Sequence, residues 1–172
     1  MPSKVLYIGQ LTDMSGYGNA ARNYVKCFDM FLESDKVEFA IFNQSYERED
    51  STSEEEKALF QKYSIQNVED FCDEDTVVIV HQVPMYFLSN RWQSIAHNFK
   101  KENVISSMAW EPDRLPSSWV EIYKQHVGRF IVYCEFTRQC FLSHGFKEEN
   151  VHLLEHPIFC LLYTSPSPRD RG

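Results

Sequence analysis

An α/β fold, one parallel sheet with helices on both faces, is predicted by three features of this 172-residue chain. Short apolar, β-rich runs alternate along it with stretches whose apolar residues recur at helical spacing. The clearest run, Thr76 to Val80 (TVVIV), is continuously apolar, as a strand covered on two faces must be. Hydrophobic residues make up 43% of the chain and aromatics 15%, enough for a sizeable core and too much for a wholly disordered chain. The length suits one ordinary domain or slightly more.

The elements follow in order. Lys4 to Ile8 (KVLYI) reads as a buried strand, and Gly9 to Tyr17 as a polar, glycine-containing loop. From Asn19 onward Ala21, Tyr24, Val25, Phe28, Phe31 and Leu32 fall on one helical face. Val37 to Phe42 is a second strand. Asp50 to Glu56 is an acidic run read as a solvated face, in which Ser53 and Glu56 make a capping box for a helix through Tyr63. After TVVIV come a helical stretch from about Tyr86 to Lys100 and a strand from Val104 to Ala109. Ser118 with Glu121 caps a helix through His126. Arg129 to Tyr133 is a strand, Phe136 to His144 a short helix closed by Gly145, and Val151 to Leu154 a last strand. The alternation makes a Rossmann-like sheet, and no internal repeat or linker interrupts it.

Composition narrows the function. With 17 Lys+Arg against 25 Asp+Glu the formal charge is −8, which repels a phosphate backbone and disfavours nucleic acid as the main partner. A small anion can still be held by backbone N–H groups. No run approaches the roughly 18 consecutive apolar residues of a membrane span, and the start leads straight into a strand, so neither a transmembrane segment nor a secretory signal is expected. Cys27, Cys72, Cys134, Cys140 and Cys160 form no CxxC, and are read as free, buried thiols of a cytoplasmic protein.

In parallel sheets ligands bind beyond the carboxyl ends of the strands. The residues there are Ser15 to Asn19, His81 to Pro84, Trp110 to Pro116, Cys134-Glu135 and Glu155 to Pro157. Gly16-Tyr17-Gly18-Asn19-Ala20-Ala21 matches G-x-G-x-x-[GA] ahead of a helix, where glycines admit a phosphate to free N–H groups. As a dinucleotide fingerprint it fits poorly: Gly16 lies seven positions after Gly9, and the second strand ends at Asn43-Gln44, without an acid for a ribose hydroxyl. Anion or sugar-phosphate binding is the preferred reading over nicotinamide binding or a merely structural turn. His81 closes the most apolar strand, as either a satisfied loop residue or a ligand contact. Trp110-Glu111-Pro112-Asp113-Arg114-Leu115-Pro116 joins a ring, two carboxylates and an Arg on a proline-stiffened loop suited to polyhydroxyl recognition, although Asp113 and Arg114 could simply hold the loop together. His152-Leu-Leu-Glu-His156 spells H-x-x-E-H, but that zinc signature needs a helix, and Pro157 with the apolar neighbours argues for an extended segment. G-x-S-x-G is absent, and Cys134 and Cys140 are read as packing thiols.

Together these segments resemble the N-terminal half of GT-B glycosyltransferases, in the large retaining family (family 4-like, group 1) that uses nucleotide sugars. The resemblance is carried by KVLYIG (4–9), SGYGNAARNY (15–24), VHQVP (80–84), SMAWEPDRLPSSWV (107–120), IVYCEFTRQCFLSHGF (131–146) and VHLLEHPI (151–158). It implies two Rossmann-like domains facing a cleft, the N-terminal one on the side of a carbohydrate, lipid or protein acceptor and the C-terminal one holding the nucleotide-sugar donor. Gly16, Tyr17, Gly18 and Asn19 would then lie against the donor phosphates or sugar. His81 and Glu111 would be catalytic, with His81 approaching the transferring sugar. Trp110, Asp113, Arg114 and Glu135 would line the acceptor side. No metal and no cofactor beyond the donor are implied. Cys134 stands where relatives often carry Ser, and the second domain is missing. An NAD(P)-binding oxidoreductase domain and a non-catalytic sugar-binding module are the alternatives.

The tail from Cys160 to Gly172, with two Ser-Pro steps and no period, resembles a translated sequencing-adapter read-through. Residues 1–158 are therefore expected to be the native domain, 159–172 a non-native disordered tail, and the chain an inactive piece of a longer enzyme.

Overall fold

A computed structural model describes residues 4–32, 36–45 and 52–157. Six parallel strands form one sheet in the order β2-β1-β3-β4-β5-β6. They are β1 (Lys4–Gly9), β2 (Glu38–Asn43), β3 (Val77–His81), β4 (Val104–Ser107), β5 (Arg129–Val132) and β6 (Val151–Leu153). The helices are α1 (Gly16–Phe31), α2 (Glu54–Tyr63), α3 (Asn90–Ile95), α4 (Ser117–His126) and α5 (Glu135–Ser143). The Rossmann-like α/β architecture expected from the alternation is the one observed. Residues 159–172, expected to be a non-native tail, lie outside the described residues, and so does Cys160.

Period-2 alternation sends the side chains of each strand to opposite faces. On one face Leu6, Ile8, Val78, Val80 and Phe130, all nearly solvent-free, pack against Tyr123 of α4, Phe141 of α5 and Trp92 of α3. On the other, Tyr7 and Ile41 pack against Tyr24 and Val25 of α1 and Phe60 of α2. Each fully buried aliphatic contributes about 1.5–3 kcal/mol.

The capping box of α2 forms as expected: the Glu56 N–H donates to Ser53 Oγ (3.2 Å) and the Ser53 N–H to Glu56 Oε2 (2.9 Å). Glu56 departs from the solvated-face reading, because Lys26 of α1 donates to its Oε1 at 2.7 Å and ties the two helices together. Gly145 follows α5 with φ +81°, the left-handed conformation that favours glycine at a helix end.

Four expectations need correction. α1 begins at Gly16 rather than Asn19, because Ser15 Oγ accepts the Gly18 N–H at 3.1 Å and draws the glycines into the first turn. The stretch from Tyr86 to Lys100 is broken into a 3-10 turn (Pro84–Leu88), α3 and a second 3-10 turn (Ala96–Asn98); Ser89 Oγ accepts the Trp92 N–H at 3.2 Å and restarts the helix there. α4 starts at Ser117, and Ser118 caps nothing: Pro116, with φ −54°, leads directly into the helix. Cys134 is exposed rather than packed, while Cys140 is buried and Cys27 and Cys72 are half-buried; all four are free thiols.

Candidate functional site

The chain leaves β1 toward β2 but leaves β3 toward β4, so the loops after β1 and β3 part and open a crevice at the carboxyl edge of the sheet. Register aligns its floor: Gly9 stands opposite Asn43 on one side and His81 on the other. The two loops are laced together by Gln10, whose Nε2 donates to Gln82 Oε1 at 2.8 Å. Arg22 of α1 donates to the carbonyls of Leu11 and Asp13, both at 3.0 Å, and so fixes the path of the loop into the helix.

His81 lies at the bottom, 1% exposed. Tyr7 Oη is 2.6 Å from its Nδ1 and Tyr133 Oη 3.2 Å from its Nε2. Tyr133 also bonds the Ser107 hydroxyl, making a chain Tyr7–His81–Tyr133–Ser107. Burial, helped by the neighbouring His156, pushes the His81 pKa down to about 3, so the ring is neutral at ordinary pH. A neutral imidazole carries one N–H, so one tyrosine donates to it and the other accepts from it. Burial raises all three nearby phenols, Tyr7 well above its ordinary value, Tyr133 likewise and Tyr24 to about 12, which keeps them protonated.

Two residues of the glycine motif have different reasons to be glycine. A Cβ on Gly18 would stand 2.1 Å from the Asp13 carbonyl oxygen, so the loop itself demands glycine. A Cβ on Gly16 would meet nothing within 4 Å, so the protein leaves that space open. Tyr17 donates its hydroxyl to the Ala109 carbonyl at 3.3 Å and so joins the glycine turn to the loop after β4. Asn19 is exposed. A cavity of about 290 Å³ is lined by Gly16, Tyr17, Ala20, His81, Ala109 and His156.

Of the residues selected from sequence, the structure brings Gly16, Tyr17 and His81 into that cavity. Gly18 does not line it and packs instead against the Asp13 and Gln10 backbone. The loop after β4 closes on itself: Trp110 Nε1 donates to the Arg114 carbonyl at 3.1 Å, its ring sits 4.7 Å from that of Trp119, and Thr137 donates to the Trp110 carbonyl at 2.8 Å. Glu111, Asp113 and Arg114 are exposed on this loop and none lines the cavity. Glu135 is engaged within α5, accepting from Arg138 (3.2 Å) and Gln139 (2.6 Å). The segment after β6 is extended, with Leu154 N–H donating to the Val132 carbonyl at 2.9 Å, so H-x-x-E-H is not a helical motif here. Among the described residues no group of three or more His, Cys, Asp or Glu is placed to hold a metal ion.

Compared with protein-family models and with curated proteins, the chain finds no match. The functional reading therefore stands on the crevice. Sequence reasoning missed Tyr7 and Tyr133 as partners of His81; it placed His156 both among the residues past the strand ends and inside H-x-x-E-H, and gave it no role of its own in the site. A larger cavity of about 420 Å³ lies between α1 and the sheet, but its walls, such as Phe28, Phe31, Ile79 and Ile131, are mainly apolar, and volume alone does not select it. Among the described residues no helix is long and apolar enough to cross a membrane.

Proposed function

We propose that the chain forms the acceptor-side half of a two-domain glycosyltransferase, which transfers a sugar from a nucleotide-sugar donor to a carbohydrate, lipid or protein acceptor with retention of configuration. The observation that carries this reading is the cavity at the β1/β3 switch point, where the open first turn of α1 faces two neutral, buried-edge histidines. Helix starts attract anions through free N–H groups and the positive dipole end. A sugar phosphate seated at Gly16 would thus present its reacting carbon to the crevice, with its leaving phosphates steadied by the α1 amides. Stabilising the departing diphosphate is a main electrostatic contribution to such a transfer. The exposed Glu111, Asp113 and Arg114 would meet an acceptor from the rim rather than from within. Asn43 speaks against a nicotinamide site: its Oδ1 accepts from the Leu11 N–H (3.0 Å) and the Ser45 hydroxyl (2.7 Å), and no carboxylate takes its place at the end of β2.

The reading predicts that the full-length enzyme consumes a UDP- or GDP-sugar and yields a product whose anomeric configuration, read by proton NMR, matches the donor. The 172-residue chain alone binds without turning over. A product of inverted configuration, or thermal stabilisation of the chain by NADH and by no nucleotide sugar, overturns it.

A further inference from the structure

The sheet has a second edge. Residues just ahead of β4, β5 and β6 meet at the amino ends of the strands, away from the crevice. They enclose a cleft of about 470 Å³, within the size range of small-molecule sites. Its floor is apolar, with Phe130 buried and Phe146 half-buried. Its charged lining residues are Lys101, Lys124, Arg129 and Lys147 against a single acid, Glu102. That balance reverses the balance of the chain, in which 25 acids outnumber 17 bases.

Part of this charge has a structural explanation. The Lys101 ammonium donates to the carbonyl of Lys124 in the last turn of α4, where cations offset the negative pole of the helix. Lys124 also faces Glu121 at 3.7 Å. The other two cations need a different reason. Arg129 opens a strand rather than ending a helix, and among the described residues its side chain has neither an ion pair nor a hydrogen bond. Lys147 lies beyond the end of α5, and its pair with Glu149 (3.5 Å) joins two exposed side chains, which contributes little. Asn150, half-buried in the same wall, has a side-chain amide that bonds to nothing among the described residues. His126, the last residue of α4, registers the local field: burial first, then the charge of Lys101, hold its pKa below its ordinary value. Holding like charges together costs free energy that an opposite charge would recover.

We infer that this cleft binds a small, multiply charged phosphate compound, with Arg129 and Lys147 as its main contacts. The planar guanidinium matches phosphoryl oxygens two at a time, and the lysines add point charge. A nucleic acid is disfavoured by the chain's formal charge of −8. A membrane headgroup is disfavoured too, because none of the exposed large apolar side chains, such as Phe31, Phe136 and Leu154, lines the cleft to enter a bilayer. The site is separate from the crevice and does not depend on the nucleotide-sugar reading.

The test is a calorimetric titration of the full chain with inorganic triphosphate at low and at physiological salt. It is repeated on Arg129→Gln, on Lys147→Gln and on Lys57→Gln, which removes a cation of α2 outside the cleft. All three side chains are exposed, so the variants should keep the wild-type melting temperature. The wild type should bind triphosphate, and more weakly as salt rises. Affinity should fall roughly five- to tenfold in Arg129→Gln, less in Lys147→Gln, and stay unchanged in Lys57→Gln. No binding by the wild type, or equal affinity in the wild type and both cleft variants, overturns the inference. An equal loss in all three variants also overturns it, since net charge alone would then explain the binding. Binding that survives both cleft variants and is lost in Gly16→Ala places the anion in the crevice, which overturns this site and leaves the nucleotide-sugar reading standing.

Discussion

His81 shows at the scale of one residue how burial turns into pH dependence. Its folded pKa is about 3, whereas an unfolded histidine titrates near 6.5. Below pH 6.5 the unfolded chain therefore binds a proton that the folded chain refuses, and stability falls as the pH drops from 6.5 toward 3. The slope approaches about 1.4 kcal/mol per pH unit for this one group. His156, also held below its ordinary value by burial, adds in the same direction. Replacing His81 by Gln should cost stability at pH 7, where the Tyr7 and Tyr133 bonds are lost or weakened. That deficit should shrink steadily on acidification, because the variant has nothing to protonate there. Urea-unfolding midpoints of both proteins at pH 7, 6 and 5 measure it; parallel curves would mean that His81 is not the buried, neutral group described. The strand-end position of His81 was legible in the chain. Its partners were not, since Tyr7 lies 74 residues before it and Tyr133 52 after, and no local pattern encodes such a contact.

At the scale of the element, α1 separates two residues that a sequence motif treats alike. Gly18 meets the Asp13 backbone, which cannot yield as a flexible side chain could; Gly18→Ala should cost about 1–3 kcal/mol, as overpacking does. Gly16 faces open space at the start of a 16-residue helix. There an added methyl removes the helix penalty of glycine, so Gly16→Ala should be neutral or stabilising by up to about 1 kcal/mol. Gly16 also lines the cavity, so the same methyl should weaken binding of UDP or GDP. Denaturant melts and a UDP or GDP titration together separate the two outcomes, and a Gly16 variant that loses stability without losing affinity would contradict the geometry. The capping box of α2 was legible because it is local, a reciprocal pair three residues apart. The breaks at Ser89 and Pro116 were not read correctly: a serine inside an apolar periodic stretch and a proline before a serine pair each admit more than one start, and packing selects between them.

For the whole molecule the strand–helix alternation was enough to give the fold class, since parallel strands covered on both faces leave a continuous apolar signature. How evenly the faces are covered is not encoded that way. α1 and α2 cover the β1–β2 half of their face, but Ile105 and Ile131 on β4 and β5 join neither core cluster and remain half-buried, and Ile131 lines the cavity of about 420 Å³. Adjacent residues of β5 therefore carry opposite energetic weight. Phe130 is 2% exposed, with its ring 4.7 Å from Phe146 and 5.0 Å from Phe141, so Phe130→Ala should cost about 3–5 kcal/mol. Ile131→Ala should fall well below the roughly 2–5 kcal/mol of a packed isoleucine, because few atoms lie on its open side. Exposed Phe31 and Leu154 border the same groove, which makes it a binding place for an apolar dye such as anilinonaphthalene sulfonate. Ile131→Lys should reduce the dye fluorescence of the folded chain while moving its melting temperature little. If Ile131→Ala destabilises as much as Phe130→Ala, or if the Lys variant unfolds, this half of the sheet is packed after all and the asymmetry of the two faces is refuted.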